Sequence, residues 1–305
     1  HPVDDETGFV EHDKFARDVV NGLHHLQALL AGVRDEDQMG HFLHDAAIDL
    51  FDPGFAVDDD VVEMVSDHGN DFLEVGVYLA VAACALRSAD GEEGFPGNTD
   101  CYVTYTLTSD NAIDITYRAT TDKTTVVNLS HHSFFNLKGE AGGTITDHIL
   151  QIDADSITPT DSNLIPTGEI RPVAGTAYDF RTAHAIGDMI DSSDEQLVAG
   201  RGYDMNWVLN RADNGEVVRV LTLYEPQSGR AMDVLTDQIA LQFYSGNFFD
   251  GSYTGKYGKP LAFRESVVFE TQRYPDAPNH ANFPSVVLRP EEEYRHTCVY
   301  RFYTK

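Results

Sequence analysis

From Cys101 to the C-terminus the chain is written in short runs of β-branched and aromatic residues: "CYVTYTLT", "AIDITYRAT", "TTVVNLS", "HILQID", "VVRVLTLYEP", "ALQFYS", "SVVFETQ" and "RHTCVYRFYT". Such side chains fit a pleated, half-buried surface, and several of the runs alternate with period two. Clusters of turn formers, "TSDN", "KGEAGG", "PTDSN", "EPQSG" and "PDAPNH", separate these runs. Many short strands with no long helical pattern between them can bury their apolar faces as an antiparallel sandwich or barrel. No repeat of 20–50 residues is evident.

The first 85 residues read differently. They hold 19 acids and three bases (Lys14, Arg17, Arg34) and seven of the 13 histidines. Phe15, Val19, Leu23, Leu26 and Leu30 recur at helical spacing, and Gly32 is a plausible stop. "MGHFLHDAAIDLF" and "DDDVVEMVSD" allow short helices, whereas "FLEVGVYLAVAACAL" fits a buried helix or a strand equally well. The chain therefore divides into an acidic N-terminal segment, 1–85, helical or poorly ordered, and a β domain, 86–305. In "HFLHD", His41, His44 and Asp45 lie close enough to invite a metal, but further ligands are not evident, and solvated histidines are the better reading.

Over the whole chain, 50 acids against 21 bases give a net charge of −29, with only six lysines. Such a surface repels nucleic acid and anionic membrane, and self-repulsion points to a salt-rich setting that screens it. No apolar run approaches a membrane span and no secretory leader is visible. The chain opens at His1 without Met, as expected of a processed, trimmed or partial chain. Three widely spaced cysteines, Cys84, Cys101 and Cys298, argue against a disulfide scaffold or zinc ribbon and fit a reducing cytoplasm.

Three stretches hold candidate chemistry. In "TTVVNLSHHSFFNL", strand alternation puts Val126, Asn128, Ser130 and His132 on one face and Val127, Leu129 and His131 on the other. His132 thus shares the polar face, and His131 continues the apolar one. In "SVVFETQ", Glu270 shares a face with Val268 and Gln272. There it is either a solvent-facing residue of an edge strand or a buried carboxylate with its pKa raised toward the general-base range. In "RGYDMNWVL", Asp204 falls in an expected turn beside Trp207, the only tryptophan. An Asp beside aromatics can grip sugar hydroxyls, and a turn-stabilising Asp with a core Trp is the alternative. There is no GxxxxGK[ST] phosphate loop and no GxSxG elbow, and "GSYTGKYGKP" reads as a flexible loop.

Together, "DGEEGFPG", "TTVVNLSHHSFFNLKG", "LIPTGEIRPVAGTAYDFR", "GYDMNWVL", "LQFYSGNFFDG" and "ETQRYPDAPNHANFPSVVLRPEEEY" resemble, in order and spacing, the aldose 1-epimerase (galactose mutarotase) family. The resemblance covers about residues 86–305. It implies an all-β, galactose-mutarotase-like antiparallel β-sandwich and interconversion of the α and β anomers of a free aldose such as galactose or glucose. It also implies His132 as catalytic acid, in the place of the family's "NHS" histidine with His131 replacing the Asn, Glu270 as catalytic base, and Asp204 as a substrate-binding residue. No metal or organic cofactor is implied.

The family's Asn-Arg loop and "HGG" histidine, expected upstream of "DGEEGFPG", are not found in residues 1–85. The segment is then a substituted helical module, a truncation or fusion, or foreign reading-frame sequence, and missing strands would leave exposed sheet edges. Two rival functions follow: a sugar-binding sensor that has lost turnover, and a structural sandwich whose helical segment docks a partner.

Overall fold

The computed structural model describes residues 80–139, 142–255 and 258–305. The helical expectations for residues 12–32, 39–51 and 58–67 and the His41, His44, Asp45 cluster lie outside them. Of the ambiguous apolar run at 72–86, the described stretch is strand.

Among the described residues fifteen strands follow one another: β1 Ala80–Ser88, β2 Thr99–Leu107, β3 Ala112–Thr121, β4 Thr125–Val126, β5 Ile149–Ile152, β6 Ala154–Thr158, β7 Arg171–Pro172 and β8 His184–Ala185. They continue with β9 Asp204–Leu209, β10 Val218–Tyr224, β11 Arg230–Thr236, β12 Ala240–Tyr244, β13 Val268–Gln272, β14 Val287–Leu288 and β15 Tyr294–Thr304. All pairings are antiparallel. An eight-stranded sheet runs β1-β2-β3-β15-β11-β10-β5-β8, a five-stranded sheet runs β13-β12-β9-β6-β7, and β14 pairs with β4.

Turn chemistry explains the tight connections. Between β2 and β3, Asn111 takes a left-handed φ of 59°, and the Ala112 amide donates to Thr108 Oγ1 at 3.1 Å. Between β10 and β11, the Glu225 carboxylate accepts from the Gln227 and Ser228 amides, and Gly229 supplies a φ of 74°. Among the described residues one short α-helix, α1 (Glu195–Gly200), escapes the period-two reading; Asp194 caps it by accepting from the Gln196 and Leu197 amides.

The two large sheets share one core. Ile113, Ile115, Leu223, Met232 and Tyr300 of the eight-stranded sheet lie in the same buried cluster as Met205, Trp207, Leu241, Phe243 and Phe269 of the five-stranded one. Each fully buried side chain of this kind contributes roughly 1.5–3 kcal/mol relative to exposure. The architecture is thus the antiparallel β-sandwich expected. Among the described residues β1 is an outer strand: Ala83, Ala85 and Leu86 are exposed, and Arg87 is held by a bidentate pair to Asp100. Charge at a sheet edge discourages further pairing.

Two local expectations are corrected. The run "TTVVNLSHH" is not one strand: only Thr125–Val126 joins a ladder, and residues 127–134 are extended without one. Asp204 is not in a turn but opens β9, because the turn is completed earlier, at Arg201 and Gly202.

Candidate active site

The site is assembled on one face of the five-stranded sheet. In the ladders β9–β12 and β12–β13, Gln242 stands opposite Asn206 on one side and Glu270 on the other, while Tyr244 stands opposite Asp204. Alternation then sends Asp204, Asn206, Gln242 and Glu270 to the same face, away from Met205, Trp207, Phe243 and Phe269, which fill the core. Trp207 is fully buried and donates from Nε1 to the Tyr178 carbonyl at 3.1 Å, so it belongs to the core and not to the site.

His132 arrives from the other direction, on the extended segment 127–134. Its alternation survives the loss of the ladder: His131 is 7% exposed, whereas the His132 side chain is 49% exposed. His132 Nε2 lies 3.8 Å from Glu270 Oε1. The imidazole packs against Phe134, 5.0 Å between ring centres, and Tyr244, 6.1 Å. Phe134 in turn meets Phe249 at 5.1 Å, giving the histidine an aromatic surround.

Polar contacts hold Asp204 and its neighbours in place. Gln242 Nε2 donates to Asp204 Oδ1 at 2.8 Å, Gln272 Nε2 donates to Asn206 Oδ1 at 3.1 Å, and Asn206 Nδ2 donates to Thr158 Oγ1 at 3.1 Å. The Glu270 side chain is only 20% exposed. Burial, then the nearby Asp204 charge, pushes its pKa up to about 7. Burial also raises the Asp204 carboxyl, against the hydrogen bond from Gln242 and the charge of His132. His132 is held below the ordinary imidazole value, chiefly by burial. A carboxyl raised by burial and an imidazole lowered by it, this close together, can exchange protons with a common ligand. Among the described residues, no group of three or more His, Cys, Asp or Glu is placed to hold a metal ion.

The profile of the aldose 1-epimerase family matches residues 75–301. The chain belongs to the aldose 1-epimerase family. Human galactose mutarotase is 43% identical over 215 residues, 70% of this chain and 60% of the relative. The aldose 1-epimerase of Escherichia coli (strain K12) is 40% identical over 220 residues, 72% of this chain and 62% of the relative. Among solved structures, an aldose epimerase homologue from C. elegans superposes with a TM-score of 0.65 at 26% identity, covering 75% of this chain and 68% of that one. Galactose 1-epimerase from Lactobacillus acidophilus gives a TM-score of 0.65 at 28% identity, covering 74% and 63%. The chain spans about 60% of the length of the curated relatives it matches.

The structure brings all three sequence-derived candidates, His132, Glu270 and Asp204, together at one site. Sequence reasoning missed Asn206, Gln242, Tyr244 and Phe134. Gln242 had a signal: "ALQFY" places it in register with Glu270 once the two strands are paired, but pairing is not a property of either run alone.

Proposed function

We propose that this chain carries aldose 1-epimerase activity on a free hexose such as galactose or glucose, with Glu270 and His132 as the acid–base pair and Asp204 as a sugar-binding group. The observation that carries the reading is the 3.8 Å approach of His132 Nε2 to Glu270 Oε1 beside Asp204. Ionised Glu270 takes the C1 hydroxyl proton while protonated His132 gives a proton to the ring oxygen. The C1–ring-oxygen bond breaks and C1 becomes an aldehyde. Rotation about C1–C2 presents its other face, and ring closure returns both protons. Held by Asp204, the sugar meets both groups at once, which supplies the proximity that acid–base catalysis requires.

With Glu270 near 7 and His132 below its ordinary value, a single proton shared by the pair rests mainly on the carboxyl. The carboxylate–imidazolium form is the minor and reactive arrangement. Polarimetry of freshly dissolved α-galactose or α-glucose tests the assignment; relaxation no faster than in buffer refutes it.

A second reading, sugar binding without turnover, is favoured by the absence of the Asn-Arg and "HGG" motifs from residues 1–85. Calorimetric sugar binding in a chain that leaves the anomer ratio relaxing at the buffer rate would support it. Unpaired cysteines and the lack, among the described residues, of a helix long and apolar enough to cross a membrane support a cytoplasmic setting. In this reading the acidic N-terminal segment is a unit distinct from the sandwich domain, and β1 (Ala80–Ser88) already belongs to the sandwich.

A further inference from the structure

Among the described residues, β13, which carries Glu270, has a strand partner, β12, on one side only. Its other edge would present bare amides and carbonyls, a costly arrangement if unsatisfied. The histidine segment covers it, but mostly through side chains. Asn128 behaves as a backbone unit: its Nδ2 donates to the Arg273 carbonyl at 3.1 Å and its Oδ1 accepts from the Arg273 amide at 2.9 Å. Ser130 Oγ donates to the Thr271 carbonyl at 2.9 Å. Only at Phe135 does the backbone take over, in a two-way bridge with Val267 at 2.8 Å each way.

The spacing along the two segments is unequal. From Ser130 to Phe135 the histidine segment advances five residues, while the opposite segment advances four, from Thr271 to Val267. One residue is therefore in excess, and it falls among His131–Phe134. An extra residue of this kind bends the segment and re-aims side chains, as β-bulges do beside active sites. His131 is turned inward between Tyr105 and Tyr300, with ring centres at 5.8 and 5.5 Å. Its Nδ1 lies 3.4 Å from the Tyr300 hydroxyl, which donates to the Phe269 carbonyl at 2.6 Å. A side chain interposed between two backbones also holds them further apart than the ~4.8 Å of a ladder.

We propose that Asn128 and Ser130 are positioning residues: they stand in for a sixth strand on the Glu270 edge, keep the extra residue between Ser130 and Phe135, and thereby set His132 against Glu270. The role rests on the acid–base assignment made above for its catalytic consequence, but not for its geometry. At these two steps it is side chains, not a backbone ladder, that tie the His132 segment to the backbone of Glu270's neighbours.

The test combines kinetics with a readout that needs no turnover. Asn128→Ala and Ser130→Ala should each lower kcat at least tenfold with KM within twofold, and Ser130→Thr, which keeps the hydroxyl, should stay within threefold of the parent. In nitrogen-15 histidine NMR, Ser130→Ala should move the His132 titration upward toward the ordinary imidazole value as the segment lifts into solvent. Glu270, Asp204 and the Tyr244 hydroxyl, the titratable groups facing His132, are unchanged in that variant. Turnover by the parent with kcat of both alanine variants within twofold overturns the proposal. So does an unmoved His132 titration in Ser130→Ala. If the parent does not turn over any aldose, the acid–base reading fails, and the NMR titration alone still decides the positioning role. If Asn128→Ala does not fold, Ser130→Ala, which removes one half-buried hydroxyl, decides both arms.

Discussion

Glu270 is a carboxyl kept near neutrality by its surroundings, and this has a consequence for stability. A folded-state pKa of about 7, above the ordinary 4.5, means that the protonated form is favoured on folding. The associated stability is fully present below the unfolded-state value and is lost as pH rises through about 7. At pH 8 the buried ionised carboxylate therefore costs on the order of 2–3 kcal/mol. Glu270→Gln should raise the thermal midpoint at pH 8 and leave it nearly unchanged at pH 4, as followed by circular dichroism, while abolishing most of the epimerase rate. An unchanged midpoint at pH 8 would show that the carboxyl is better solvated than its 20% exposure indicates. Under the proposed acid–base assignment the same two groups shape the rate. Below the lowered His132 value both are protonated and no base remains; above about 7 both are deprotonated and no acid remains. The pH dependence of kcat/KM should be a bell with its basic limb near 7, and a plateau extending to pH 9 would refute the pairing.

At the scale of elements, Asp204 owes its place to the turn that precedes β9. Gly202 has a φ of 148°, and a Cβ there would lie 2.2 Å from Asn247 Oδ1 and 2.8 Å from Ser245 Oγ. Both neighbours are fully buried and committed: Ser245 Oγ accepts from the Tyr203 amide at 2.9 Å and donates to Asn247 Oδ1 at 2.6 Å, and Asn247 Nδ2 donates to the Tyr203 carbonyl at 2.8 Å. Gly202→Ala should therefore cost about 2 kcal/mol or more by overpacking and strain. If Asp204 binds sugar as proposed, the variant should also weaken that binding by displacing it; urea unfolding reads the stability and calorimetry the binding. The turn is legible in "RGYD", but its end is not. A hydrogen-bonded network from β12 and the loop after it, distant in sequence, lets β9 start at Asp204 itself. The histidine run shows the opposite failure. Its alternation holds in the structure, but an alternating pattern reports which side chains face inward, not whether the backbone finds a ladder partner.

For the whole molecule, 50 acids and 21 bases leave a net charge of −29 that must be tolerated by the folded chain. Raising potassium chloride from 0.1 to 2 M should raise the thermal midpoint by several degrees, since screening removes self-repulsion. A midpoint that falls steadily with salt would remove the inference of a salt-rich setting. The chain by itself determined the fold class, because dense short strands with turn formers between them have few ways to bury their faces. It also determined which histidine of the pair faces out, because side-chain alternation is a local property. Only the tertiary structure decided that Gln242 sits between Asp204 and Glu270, that Glu270 is buried on an edge strand, and that Asn128 and Ser130 close that edge. Each of these depends on which strands lie side by side and in what register, and that is set by long-range pairing to which no single run of residues holds the key.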